Sequence, residues 1–187
     1  ADALLRAGLV PFARRSPETD RHGSARVPPE LACLVASRTF ACTANAEPFD
    51  CIASVSDDAM PYAEAIGRVI GMPVLSIPAG THSGAVEYIA EIRDRDGLSQ
   101  ALLMVDRLST GAACVEVAQF LRSHGVSVSD AMGVVDLQRE GTDLLIQHGI
   151  SFRAVLFYQD ILSHACARKQ ITRLAYGAYI ARHAETF

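Results

Sequence analysis

Residues 101–111 read ALLMVDRLSTG, a five-residue apolar run followed by a short, mostly polar segment that ends in a glycine. The run Ala101–Val105 predicts a strand that is buried on both faces of a sheet. Amphipathic spacing then predicts a helix over 112–124, closed by Gly125. A buried strand that leads through a short loop into a helix is the unit of a parallel α/β sheet. This stretch therefore predicts the fold class.

The same alternation extends on both sides of this unit. Short apolar runs predict strands over 49–55, 73–77, 131–135 and 152–157. Helical spacing predicts helices over 30–39, 60–70 and 142–148, and one from 159 to near the end. In the first of these helices we expect Leu31, Leu34 and Val35 to face inward. The order of elements predicts an α/β fold with a parallel, doubly wound sheet.

The edge of such a sheet indicates where a ligand would bind. Ligands of doubly wound sheets bind beyond the carboxyl ends of the strands, where the strand order reverses. The candidate loops therefore follow residues 55, 77, 105 and 135.

The composition narrows the classes of function. The chain has 187 residues, half of them apolar, and 17 basic against 21 acidic side chains, a net charge of −4. This predicts one domain with a core, excludes a disordered chain, and argues against a nucleic-acid partner. No apolar run is long enough for a membrane span, and the first residues lack the layout of a signal peptide. Five cysteines without a CxxC pair predict reduced thiols in the cytoplasm and give no certain metal site.

The loop after the central strand has the composition of a phosphate-binding turn. A glycine lets the backbone approach a ligand, and amides at a helix start face it with the positive end of the dipole. Asp106, at the strand end, can accept ribose hydroxyls. An ordinary Ser/Thr cap of a strand–turn–helix unit explains the same residues, and both interpretations remain open. The candidate phosphate-binding residues are Ser109, Thr110, Gly111, Ala112 and Ala113.

Motifs in order along the chain resemble those of one enzyme family. They are FDCIA at 49–53, MPYA at 60–63, the loop at 105–113, the spacing of Val115, Glu116, Leu121 and Gly125, VVD at 134–136, Gly141, and HGI at 148–150. Residues 49–183 thereby resemble orotate phosphoribosyltransferases, a group of type I phosphoribosyltransferases. The resemblance implies the type I fold with a small hood segment. Residues 49–187 would form the core with a C-terminal helix, and residues 1–48, which match the family only weakly, would form the N-terminal segment of the domain.

The resemblance also implies an activity, substrates and partners. The family transfers the phosphoribosyl group of phosphoribosyl pyrophosphate (PRPP) to orotate in pyrimidine biosynthesis, with Mg²⁺. It implies a cytoplasmic homodimer or hetero-oligomer that binds PRPP or a nucleotide monophosphate, with no nucleic acid and no membrane. The roles it implies are a catalytic residue for Asp106, as one of the acids that hold the ribose diol or the metal, and a pyrophosphate loop at Ser56, Asp57 and Asp58.

The loops that meet at the implied site depart from the family pattern. Val105 stands where the family has the first of two acids, and Ala113 where it has a hydroxyl. Asp58 stands at the position of a lysine that meets pyrophosphate. Carboxylates there reverse the sign of the interaction with that substrate.

Two further positions leave alternatives open. The hood stretch 76–84 contains no Lys or Arg, and His82 stands where the family has a mobile catalytic lysine. His82 is either a partial catalytic substitute or an ordinary exposed histidine. Arg139 follows Asp136 two places later than the base-reading arginine of the family, so it either contacts the base or is a surface arginine. The only lysine of the chain is Lys169.

Three functions follow from these observations. The first is a working orotate phosphoribosyltransferase that takes cations from Arg107, Arg139, the N-terminal arginines or a neighbouring subunit. The second is a non-catalytic module of the same fold that binds a nucleotide monophosphate or serves as a regulatory or structural subunit. The third is an unrelated doubly wound protein whose motifs match by coincidence.

Overall fold

One parallel sheet lies at the centre of the described part of the chain, with the strand order β2-β1-β3-β4-β5. Its strands are β1 (Cys51–Ser54), β2 (Val74–Ser76), β3 (Gln100–Leu108), β4 (Ser127–Asp136) and β5 (Ser151–Phe157). The computed structural model describes residues 48–77 and 97–183, and the helical positions Leu31, Leu34, Val35, Ser37 and Arg38. The strand order reverses between β1 and β3, and a crevice forms at the carboxyl ends of strands at such a reversal.

Helices cover both faces of the sheet. They are α1 (Met60–Ile70), α2 (Ala112–Ser123), α3 (Gly141–Gln147), α4 (Tyr158–Ala167) and α5 (Arg173–His183). One buried cluster joins Leu103 and Val105 of β3 to apolar side chains of α2 and α3. A second joins Leu102 and Met104 to α1, α4 and the helical residues Leu31 and Val35. The burial on both faces that the sequence predicts for this strand is therefore confirmed. Each buried aliphatic side chain of this kind contributes about 1.5–3 kcal/mol to the stability of the fold.

Asp50, just before β1, sets the register of β1 against β3. Its carboxylate accepts hydrogen bonds from the amide and hydroxyl of Ser99 at 2.8 and 2.9 Å, and from the amide of Gln100 at 3.2 Å. The acid of the FDCIA motif therefore fastens the amino ends of the two central strands. This fixes which residues meet at their carboxyl ends.

Two predicted strands are longer in the structure than in the prediction. The apolar runs predict strands over 101–105 and 131–135, but β3 continues to Leu108 and β4 begins at Ser127. Pairing continues as far as Leu108 opposite Asp136, because the backbone ladder does not require apolar side chains. Asp106 and Arg107 therefore lie within β3 rather than in the loop after it.

Two predictions about helices are wrong. The single C-terminal helix is two helices, α4 and α5. Lys169 adopts a positive φ of 57°, and the amide of Gln170 donates to the carbonyl of Ala165 at 2.8 Å, a pattern that ends a helix. Leu34, which we expected to face inward, is 44% exposed, whereas Leu31 and Val35 are buried.

Candidate functional site

The turn after β3 presents free backbone amides at the start of α2. Gly111, with φ of 78°, is the residue that precedes the helix, and no side chain caps the helix start. The first amides of a helix have no partner within it, so those of Ala112 and Ala113, both exposed, are open to a ligand. The alternative of a Ser/Thr side-chain cap is wrong for this helix.

Two glycines hold this turn against the start of α3. A Cβ on Gly111 would lie 2.8 Å from the carbonyl oxygen of Gly141. A Cβ on Gly141 would overlap the carbonyl oxygen of Ser109 and lie 3.1 Å from the amide nitrogen of Gly111. Backbone therefore contacts backbone here, and the position of the turn depends on both glycines.

A cavity of about 120 Å³ lies beside the turn, lined by residues 109–114 together with Val105, Arg107 and Leu108. Pockets for whole small molecules usually measure about 300–1,000 Å³. The cavity is therefore suited to a group the size of a phosphate rather than to a whole nucleotide. All five predicted phosphate-binding residues line it.

Arg107 joins Asp106 to the loop that follows β1. Its Nε donates to Oδ2 of Asp106 at 2.9 Å, and its terminal nitrogen lies 3.9 Å from Oδ2 of Asp58. Asp106 is only 6% exposed, whereas the side chain of Asp58 is 72% exposed. Oδ1 of Asp106 takes no part in this pair and remains an acceptor for a hydroxyl donor.

The turn after β1 is closed by its own hydrogen bonds. The hydroxyl of Ser56 accepts from the amide of Ala59 at 3.2 Å, and the hydroxyl of Ser54 donates to the carbonyl of Ser56 at 2.8 Å. This arrangement leaves the side chains of Asp57 and Asp58 exposed. The structure thus brings the predicted pyrophosphate loop next to β3, with Asp58 nearest to the cavity through Arg107.

Burial keeps the side chains of Cys114 and Tyr62, both close to Asp106, protonated. Burial raises the pKa of the Cys114 thiol to about 12, and the carboxylate of Asp106 adds to the rise. Burial and the charge of Asp106 likewise raise the pKa of Tyr62 above its ordinary value. Neither residue therefore supplies a thiolate or phenolate at neutral pH.

The turn after β4 contains a residue that sequence reasoning missed. Gln138 adopts a positive φ of 56°, and its Oε1 accepts from the amide of Gln159 at the start of α4 at 3.2 Å. Its own amide donates to Oδ1 of Asp136 at 2.7 Å. No sequence signal marks this role, because a glutamine in this conformation is uncommon.

Arg139 lies beside an aromatic pair. It is exposed, and its charge lowers the pKa of both Tyr158 and Tyr179, although burial raises each phenol's pKa overall. The two rings meet edge to face, with centroids 5.1 Å apart. The structure therefore places Arg139 near α4 and α5. His82 and the part of the predicted hood stretch that follows Ile77 lie outside the described residues.

No preassembled metal site is present among residues 48–77 and 97–183, since no three acids, histidines or cysteines cluster there. Mg²⁺ in phosphate chemistry is usually held by one or two carboxylates and by substrate phosphates. The carboxylates at this edge fit a magnesium ion that enters with the substrate.

Within the part of the chain that the structure describes, no helix combines the length and apolar character needed to cross a bilayer.

Known proteins resemble this chain in sequence and in fold. No protein-family model matches it. It is 30% identical to an orotate phosphoribosyltransferase of Halobacterium salinarum over 112 aligned residues. The aligned residues make up 59% of this chain and 63% of that protein. The chain therefore spans less than two thirds of that relative's length.

Solved structures share the fold. UMP synthase of Leishmania donovani superposes with a TM-score of 0.66 at 23% identity, covering 97% of this chain and 42% of that one. Orotate phosphoribosyltransferase from Aeropyrum pernix superposes with a TM-score of 0.58 at 18% identity, covering 72% and 73%. The chain is therefore similar in sequence to orotate phosphoribosyltransferases and has the type I phosphoribosyltransferase fold.

Proposed function

We propose that the chain binds the 5-phosphate of a phosphoribosyl compound at residues 109–113 and acts in pyrimidine nucleotide biosynthesis. The activity proposed is transfer of the phosphoribosyl group from PRPP to orotate, at a reduced rate or with the help of a partner subunit. In that reaction a pyrimidine nitrogen attacks C1 of the ribose and pyrophosphate leaves. Relatives named orotate phosphoribosyltransferase and UMP synthase support this proposal.

The turn at residues 109–113 carries the proposal. Uncapped amides at the start of α2, with Gly111 in the left-handed conformation, form a site for a phosphate group. The helix dipole favours the negative charge there by about 0.3–1 kcal/mol. Oδ1 of the buried Asp106 lies at the same strand end and can accept a ribose hydroxyl. Donors for phosphate and an acceptor for ribose in one place match a phosphoribosyl group.

The charges at this edge support a reduced or partner-dependent rate. Asp57 and Asp58 stand exposed where the pyrophosphate would bind, and Arg107, the cation that Asp58 faces, is shared with Asp106. We propose that magnesium enters with the substrate's phosphates and offsets part of this negative charge. A second subunit, as a homodimer or hetero-oligomer in the cytoplasm, is the proposed source of further cations.

The same charges favour a second candidate function. A module that binds only a nucleoside monophosphate needs the phosphate turn but not a pyrophosphate site. The acidic loop after β1 would then not weaken binding of the ligand, because no second or third phosphate approaches it. This candidate predicts monophosphate binding without turnover.

An absorbance assay separates the two candidates. The protein is mixed with orotate, PRPP and magnesium, alone and with candidate partner subunits, and the loss of orotate absorbance is followed. We expect a slow loss that Asp106→Asn reduces. If no condition consumes orotate, the transferase proposal is wrong. Calorimetric binding of a nucleoside monophosphate would then support the second candidate.

A further inference from the structure

We propose that Arg107 supplies the cationic contact to the anionic substrate beside residues 109–113, and that Asp58 competes with that substrate for its guanidinium. This inference rests on the proposed function and names the residue that replaces the missing cation of the loop after β1. It assigns Asp58 the role of an internal competitor.

The position of Arg107 supports the contact. Arg107 lines the cavity next to the turn. The other described residues that line this cavity have uncharged side chains. Its side chain is 38% exposed, so a ligand can reach it without disturbing the core. It lies between the turn after β3 and the acidic loop after β1, where the two ends of a phosphorylated substrate would sit.

The donors of Arg107 are only partly used. A guanidinium carries five N–H donors in a fixed plane. The Nε donor goes to Asp106 at 2.9 Å, and one terminal nitrogen faces Asp58 at 3.9 Å. The remaining donors suit the bidentate recognition of phosphate oxygens, which are typical partners of arginine.

The two acids hold Arg107 with very different strength. Asp106 is buried and bonds at short distance, so it fixes the direction of the guanidinium. Asp58 is mostly exposed and lies at the distance limit of an ion pair, and such surface pairs contribute only about 0–1 kcal/mol. A phosphate group in the cavity can therefore displace Asp58 while Asp106 keeps Arg107 in place.

Three variants test the inference by calorimetric titration with inorganic pyrophosphate at low salt. Asp58→Asn removes the competitor, and we expect pyrophosphate to bind about two- to fivefold more tightly. Arg107→Gln removes the charge but keeps a donor for Asp106, and we expect binding about tenfold or more weaker. Asp57→Asn is the matched control. Asp57 is the neighbour of Asp58, carries the same charge and is also exposed, but it forms no described pair with Arg107.

The outcomes separate this inference from the proposed function. If Asp58→Asn tightens binding more than Asp57→Asn and Arg107→Gln weakens it, the inference holds. If the wild type binds pyrophosphate but both asparagine variants behave alike and Arg107→Gln is unaffected, this inference fails and the proposed function stands. If neither the wild type nor Asp58→Asn binds pyrophosphate, this inference and the transferase proposal both fail, and only the monophosphate-binding candidate remains. Thermal unfolding of each variant confirms that it is folded before titration.

Discussion

The pair of Asp106 and Arg107 affects the stability of the fold as well as the proposed function. A buried carboxylate without a partner costs several kcal/mol, and Asp106 is almost completely buried at the end of β3. The hydrogen bond from Nε of Arg107 offsets part of that cost. A substitution of Arg107 that leaves no donor would therefore lower stability, which is why glutamine is the informative replacement.

Asp136 gives a prediction for the dependence of stability on pH. Burial raises its pKa, while the amide of Gln138 and the hydroxyl of Thr142 lower it in part. Because the folded pKa lies above the unfolded one, the native state holds the proton longer. Stability therefore falls as pH rises from the unfolded pKa through the folded pKa. Asp136→Asn keeps an oxygen acceptor for Gln138, and we expect a higher free energy of unfolding at neutral pH.

Urea unfolding at several pH values checks this expectation. The advantage of Asp136→Asn over wild type should shrink as the pH is lowered through the range in which wild-type Asp136 becomes protonated. The control is Asp143→Asn, an exposed acid of α3 whose replacement should change stability by less than about 0.5 kcal/mol. A variant that is less stable than wild type at pH 7 would contradict the account of Asp136.

The sequence predicted residues of the candidate site but not the contacts between them. Asp106 and the turn at 109–113 follow from an apolar run, a glycine and a helix start. The bridge from Arg107 to Asp58 does not follow, because it depends on the reversal of strand order that puts β1 beside β3. The cap that Gln138 provides for α4 depends on a backbone conformation that glutamine rarely adopts.

At the scale of elements, Gly141 links the turn at 109–113 to α3. A Cβ there would overlap the carbonyl oxygen of Ser109, which is a backbone atom and cannot rotate away as a side chain would. We expect Gly141→Ala to lower the free energy of unfolding by about 1–3 kcal/mol. We also expect it to weaken nucleoside monophosphate binding about tenfold, because the turn must move. Urea unfolding and calorimetry measure the two effects.

Gly177 in α5 supplies the matched control. A Cβ at that position would meet nothing within 4 Å. Gly177→Ala should therefore stabilise the helix by about 0.5–1 kcal/mol and leave monophosphate affinity unchanged. Equal affinities of Gly141→Ala and wild type would show that the contact between the two glycines does not position the turn.

Helix boundaries were easier to predict than strand boundaries. The prediction of α1 over 60–70 is confirmed, since a proline stands in its first turn and Gly71 ends it with φ of 73°. The strands β3 and β4 extend beyond their apolar runs because parallel pairing continues through polar residues. The break between α4 and α5 depends on Lys169 in a left-handed conformation, which the sequence does not signal.

At the scale of the whole molecule, the net charge of −4 conceals an uneven distribution. At the carboxyl edge of β1 and β3, Asp57, Asp58 and Asp106 stand against Arg107. We propose that the turn at 109–113 holds a single phosphate there, whereas the loop after β1 presents carboxylates to a second one. The fold is that of the type I phosphoribosyltransferases, and we propose that its acidic edge favours a single phosphate over the three of PRPP.

Calorimetric titration of the wild-type protein with uridine 5′-monophosphate and with uridine tests this central claim most directly. We expect the monophosphate to bind and uridine to bind at least about tenfold more weakly, because the turn at 109–113 contributes charge-assisted hydrogen bonds to the phosphate. Binding of neither compound, or equal binding of both, would contradict the assignment of the turn as a phosphate site.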